Sequence, residues 1–352
     1  MDFRFLMSFS NGNFTSITKS RFPFPIFPQE HFMPITIISA TQAHQREAAH
    51  LIYDSTNAWY KKNRGFSVFT GEKDSALLFC RTYAALDGQE NHLIAWDSDA
   101  QRIAGSCFVH PRPTHISLGI MNVHPDYFGQ SVAPRILEHI IEIAQSQNLP
   151  LHLVSSAMNL DSFSLYSRMG FVPHTVFQDM MFPNFDSQKV SKMLSRNVSR
   201  LLPSVRPAQL ADVPAITALD LELTGRDHTA DFTYFIQNPD GAWRTWVLET
   251  ETGLTGVLSS VCDPGSCMLG PGFMRDEDSM LALIFTAYRA FTEPQDALPA
   301  ARPIFLVPCA AQNAIRTLYS WGARNTELHV GQTLGGGAPA KGLVMPTFMP
   351  ES

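Results

Sequence analysis

The stretch Met121-Asn122-Val123-His124-Pro125-Asp126-Tyr127-Phe128-Gly129-Gln130-Ser131-Val132-Ala133 carries an extended run into a loop of small residues and then directly into a helix. The run begins earlier, as Ile116 to Val123, and stops at His124-Pro125. Pro134 opens the helix, and Ile136, Leu137, Ile140, Ile141 and Ala144 fall on one face at the 3.6-residue period. At such a junction several backbone N–H groups have no internal partner and converge where the helix dipole is positive. Gly129, Ser131 and Ala133 keep side-chain bulk away, so an anion such as a diphosphate could approach the main chain. Taken alone, these features fit an ordinary strand-to-helix turn equally well.

Working outward, helical character spans 42 to 60, and strand-like segments follow at 91 to 96 and 103 to 109. Beyond the helix come a strand at Leu151 to Val154, a short helix at 161 to 168 and a bent strand from Phe171 to Phe182. This alternation predicts a mixed α/β (α+β) sheet domain over residues 33–183. Residues 1–32, rich in phenylalanine and proline but without periodicity, read as a poorly structured N-terminal extension. Val190, Met193, Leu194 and Leu201 are spaced for an amphipathic linker helix over 184–204. A second domain, 205–352, opens with Val205-Arg206-Pro207. It has a helix at 210 to 221, strands near 243 to 249, 256 to 261 and 304 to 307, and a helical stripe of Leu281, Ile284, Phe285, Tyr288 and Phe291. The matching placement of Leu165-Tyr166-Ser167 and Leu318-Tyr319-Ser320 favours an internal duplication.

The 352 residues (39.2 kDa) suit two domains, and 45% apolar against 16% charged residues excludes a disordered chain. With 26 basic and 32 acidic residues, a net charge of −6 and no polybasic run, nucleic acid and membrane surfaces are not expected partners. No stretch approaches the roughly 18 apolar residues of a membrane span, and no secretory signal is evident, so a cytoplasmic location is expected. The five cysteines, scattered and without a Cys-x-x-Cys pair, read as small buried hydrophobes, not disulfides or zinc ligands. His110, His115 and His124 lack metal-ligand spacing, so no metal is expected.

The quoted stretch resembles the signature of the GNAT superfamily of acyl-CoA-dependent N-acyltransferases: Val-x-Pro before Arg/Gln-x-x-Gly-x-Gly/Ala at the end of the fourth strand. Val123-His124-Pro125 matches, Phe128, Ser131 and Ala133 occupy the three signature positions, and Phe128 and Ser131 depart from the pattern. A second element follows at the family's spacing, where Asn159, Ser162, Leu165, Tyr166, Gly170 and Phe171 all correspond. The resemblance covers about residues 35 to 183. It implies two GNAT-like domains, each with a mostly antiparallel sheet splayed between its fourth and fifth strands and flanked by helices, the second domain degenerate. It also implies acetyl-CoA held by Met121, Val123, Phe128, Gly129, Gln130, Ser131, Val132, Ala133, Asn159 and Ser162. Tyr166 would be the general acid that protonates the departing thiolate.

Strand alternation places His115, Ser117, Gly119, Met121 and Val123 on one face, which makes His115 the first candidate base and His110 the second. Arg112 could bind a substrate carboxylate, and Trp59 and Tyr60, at the end of the first helix, could line the acceptor pocket, with His110 nearby. In the second half, Gly270 to Asp278 replaces the diphosphate loop, and its acids Asp276, Glu277 and Asp278 would repel coenzyme A. Tyr319 is then a relic, and Gly335-Gly336-Gly337 a flexible turn. The expected activity is acetyl transfer to a small-molecule amine. A non-catalytic acyl-CoA sensor and a protein-amine acetyltransferase are the alternatives, and a homodimer is allowed.

Overall fold

The computed structural model describes residues 35–292, 302–336 and 340–347; the expected N-terminal extension lies outside them, as does Gly337 of the glycine turn. The first half runs β1 (Ile35–Ser39), α1 (Gln45–Arg64), α2 (Leu77–Asp87), β2 (His92–Asp97), β3 (Arg102–Pro111) and β4 (Ile116–Val123). It continues with α3 (Val132–Gln147), β5 (Leu151–Ser156), α4 (Leu160–Arg168) and β6 (Val172–Met181). Two short helices follow, α5 (Ser187–Ser191) and α6 (Arg196–Leu201), in place of the single linker helix expected. Ser195 interrupts that helix because its hydroxyl accepts from the Val198 N–H and caps a new one.

The second half repeats the first, element for element: β7 (Val205–Pro207), α7 (Val213–Thr224), α8 (Thr229–Gln237), β8 (Trp243–Thr250), β9 (Gly253–Asp263) and β10 (Ser266–Met274). Then come α9 (Glu277–Thr292), β11 (Ile304–Pro308), α10 (Gln312–Trp321) and β12 (Arg324–Leu334), with β13 (Leu343–Met345) added at the end. The repeat extends to irregularities. Between Leu118 and Met121, β4 carries one residue more than the facing stretch of β3, and between Leu269 and Gly272, β10 carries one more than β9.

The strands join in one sheet, ordered β1-β2-β3-β4-β5-β12-β6-β11-β10-β9-β8-β7, with β13 on β10. The two halves have exchanged their closing strands. β12, from the second half, runs antiparallel between β5 and β6 of the first, pairing Gly331 with Val154 on one side and with Thr175 on the other. The other edge of β6 pairs with β11. The sheet thus runs on across residues 183–205 without a break. Helices α1, α2, α7 and α8 contribute to one apolar cluster, and α9 and α10 to a second. Among the described residues no helix is long and apolar enough to cross a membrane.

Candidate active site

The two parallel strand contacts are short. β4 and β5 pair only at Ile116–Leu151 and Ser117–His152, and beyond Ser117 they diverge into a V. The His124 N–H donates to Ala104 O on β3 (2.8 Å), so alternation turns the backbone groups of Val123 and Met121 toward the open side. At the mouth of the V lies the loop 124–131, with Phe128, Gly129, Gln130 and Ser131 all exposed. Gly129 and Ser131 take left-handed φ values of 77° and 59°, and a Cβ added at Gly129 would meet nothing within 4 Å. The first internal bond of α3 runs from the Arg135 N–H to Ser131 O, so the N–H groups of Val132 and Ala133 precede it at the positive helix end. Pro134 is the third helical residue, not the first, and offers no N–H.

The bulge in β4 corrects the alternation drawn from sequence. A Cβ on Gly119 would point at His110 and Phe108, and Asn122 donates to Ser55 Oγ on α1 (2.7 Å), so both face the side of α1 and α2. Met121 pairs with Cys107 and Val123 with Gly105, whose added Cβ would meet Val132 of α3. Met121 and Val123 therefore turn away from the face shared by Ser117 and Gly119.

His110 lies on the α2 side at this bulge. Its Nδ1 pairs with Asp87 Oδ2 (2.5 Å), the carboxylate accepting the Nδ1 proton. Nε2 is buried without a hydrogen-bond partner, and a Cβ on Gly119 would stand 2.3 Å from it. A strand-interior glycine is what lets this ring approach the point where the V opens. Arg112 is not available to a substrate carboxylate. Its guanidinium is buried, with Nε and Nη2 on Asp231 (2.6 and 2.5 Å) and Nη1 on Asp87 (2.5 Å), joining the turn after β3 to α2 and α8. His115 sits just before the closed end of the V, its ring 5.1 Å from that of His152 and 5.0 Å from that of His228. Burial, reinforced by those two rings, holds its pKa far below the usual imidazole range, so it remains neutral. No carboxylate orients it, unlike His110.

Helix α1 crosses the open V. Ser55 meets Asn122 on the β4 arm, and one turn later the Tyr60 hydroxyl donates to Glu327 Oε2 (2.8 Å) at the β5 arm. Glu327 also accepts from Ser156, the last residue of β5, and lies 3.9 Å from Arg64. Burial and the neighbouring carboxylate push the Tyr60 phenol well above its ordinary range. The half-buried Trp59 ring packs edge-on to Tyr60 at 4.9 Å. Glu327 was missed from sequence because it arrives on the exchanged strand, 267 positions from Tyr60.

Tyr166 is buried on α4, the helix packed beside β5, with its ring 5.7 Å from Phe171. Asn159 is the N-cap of that helix, accepting the Ser162 N–H (3.2 Å), so the spacing of these two residues sets where α4 begins.

The second half closes what the first leaves open. Its β10 and β11 also pair at only two positions, Met268–Ile304 and Leu269–Phe305. Here, however, β13 lies along the freed edge of β10, pairing Gly272 with Met345 and Met274 with Leu343. The expected loop at Gly270 to Asp278 is largely strand, because Gly270 and Pro271 sit in the β10 bulge instead of ending it. Only Arg275 and Asp276 separate β10 from α9, and Asp276 itself accepts the Ser279 N–H (2.8 Å). Tyr319 is 41% exposed and donates to Gln178. Among the described residues no group of side chains is arranged to hold a metal ion.

Residues 52–171 match the acetyltransferase (GNAT) family. No curated protein sequence matches closely enough to count as a relative. Among solved structures, an assigned acetyltransferase of Pyrococcus horikoshii superposes with a TM-score of 0.66 at 13% identity, covering 90% of this chain and 94% of that one. Saccharomyces cerevisiae N-myristoyltransferase, solved with bound myristoyl-CoA and inhibitors, gives 0.57 at 11% identity, covering 89% of this chain and 83% of that one. A tandem GNAT protein from the clavulanic acid biosynthesis pathway gives 0.52 at 11% identity, covering 86% of this chain and 99% of that one. At these identities the likeness is one of fold, and it spans both halves. The match at residues 52–171 takes in the splayed strands, the exposed loop and Tyr166, so this part of the chain is similar to the GNAT acetyltransferase family.

Proposed function

We propose that the first half transfers an acetyl group from acetyl-CoA to the amine of a small molecule, and that the second half binds no coenzyme. The contrast between two equivalent strand edges carries this reading: Met121 to Val123 of β4 lie beside an open V, whereas Gly272 to Met274 of β10 are covered by β13. When bound, acetyl-CoA supplies an activated thioester. The N–H groups of Gly129, Ser131, Val132 and Ala133 suit its diphosphate, those of Phe128 and Gln130 being spent on Pro125 O and Tyr127 O, and the edge at Met121 and Val123 suits an amide-bearing arm. Asn159 and Ser162 support this site by fixing the start of α4. Tyr166 delivers a proton to the departing sulfur.

His110 is the base that removes the amine proton, a role that Asp87 supports by fixing its tautomer and stabilising the imidazolium as it forms. Trp59, Tyr60 and Glu327 form the acceptor side, where a carboxylate beside aromatic rings favours a cationic amine over an acidic one.

Calorimetric titration with acetyl-CoA is expected to give one site per chain, and incubation with a panel of small amines to release free thiol. Two sites would contradict the closed second half. Binding without thiol release across the panel would make the protein a sensor.

A further inference from the structure

We propose that Cys262 and Cys267 are a redox modification site, forming a reversible disulfide across the β9–β10 hairpin. Pro264 and Gly265 make the turn of this hairpin; Asp263 faces Ser266, and Cys262 faces Cys267 at the next rung. The Cys262 N–H donates to Ala242 O (2.9 Å), away from β10, so the cysteines occupy a non-hydrogen-bonded rung. At such a rung the Cα atoms lie about 4.5 Å apart with the side chains on the same face. That separation falls within the roughly 4.4–6.8 Å that a disulfide spans. Both thiols are partly exposed, whereas Cys80 and Cys107 are buried.

The two sulfurs are also chemically unequal. A hydrogen bond from the Cys267 thiol, aided by the nearby Arg244, lowers the Cys262 pKa, while its bond to Cys262 and burial push Cys267 upward. Cys262 is thus the first of the two to act as nucleophile. Its thiolate attacks a low-molecular-weight disulfide, breaking that S–S bond, releasing one thiolate and leaving a mixed disulfide on Cys262. Cys267 then passes its proton to the released thiolate and attacks the Cys262 sulfur, expelling the second half of the reagent. Two protein thiols are oxidised by two electrons, and the reagent is reduced to two thiols. The hairpin tip rests on the first half: a Cβ on Gly265 would stand 2.3 Å from Ser75 O, and Asp263 faces Arg81 at 3.9 Å. Oxidation therefore stiffens the hairpin next to a contact between the two halves, whatever the acyl-transfer reading becomes.

The test uses the native full chain in graded mixtures of oxidised and reduced glutathione, with acid quenching, alkylation and peptide mass spectrometry. The expected product is a Cys262–Cys267 link that dithiothreitol reverses, with Cys80 and Cys107 alkylated only after unfolding. In Cys267→Ser, checked for folding by circular dichroism, glutathione should remain trapped on Cys262. A link that forms only in unfolded chain, or glutathione that persists on Cys262 of the wild-type protein, overturns the proposal.

Discussion

Tyr166→Phe is expected to lower kcat by about 10²–10⁴-fold, the usual share of a general acid, while leaving the affinity for acetyl-CoA unchanged. The substitution removes one oxygen and keeps the ring that packs against Phe171, so the α4 contact with β5 survives. In the proposed mechanism what is lost is the proton for the departing thiolate, a deficit felt in turnover and not in the ground-state complex. Steady-state kinetics beside calorimetry separates the two quantities. Turnover at the wild-type rate would remove Tyr166 from the mechanism. A parallel loss of acetyl-CoA affinity would make it a binding residue.

Arg112→Ala is expected to destabilise the fold by about 3–5 kcal/mol, the cost of leaving buried charge without its partner. The guanidinium is nearly fully enclosed and serves two carboxylates, Asp87 from the first half and Asp231 from the second. Denaturant unfolding measures the loss, and a variant within about 1 kcal/mol of the wild type would reduce the network to a surface-like ion pair. The same carboxylate sets an acid limit. Burial opposes ionisation of Asp87, but the hydrogen bond from His110 and the charge of Arg112 prevail, and its pKa lies below the ordinary range. A depressed carboxyl contributes stability above its unfolded value of about 3.9, and that contribution disappears as pH falls through the folded value. Arg112→Ala should therefore flatten the acid limb of the stability profile.

The features written locally were legible from sequence. The strand, loop and helix around His124 emerged from a proline, small residues and a helical stripe, whereas the second motif, with Asn159, Ser162 and Tyr166, was found only through the family resemblance. Period-two reasoning failed at Gly119 because a bulge inserts a residue that no pattern marks, so Met121 and Val123 moved to the opposite face. The role given to Arg112 failed for a different reason. An arginine in a Pro-rich turn resembles a solvated one until its partners, Asp87 and Asp231, are brought from 25 residues before and 119 after. Glu327 and the strand exchange share that difficulty, since both depend on pairings made late in the chain.

The exchanged strand bears on how this protein can be made. A nascent chain leaving the ribosome exposes β5 and β6 long before their shared neighbour, Arg324–Leu334, has been translated. During that interval two strand edges stand open, the condition under which chains stick to one another. Synthesis in the cell thus favours holdase protection until Arg324–Leu334 has emerged, and expression of the N-terminal copy by itself should yield aggregate in place of enzyme.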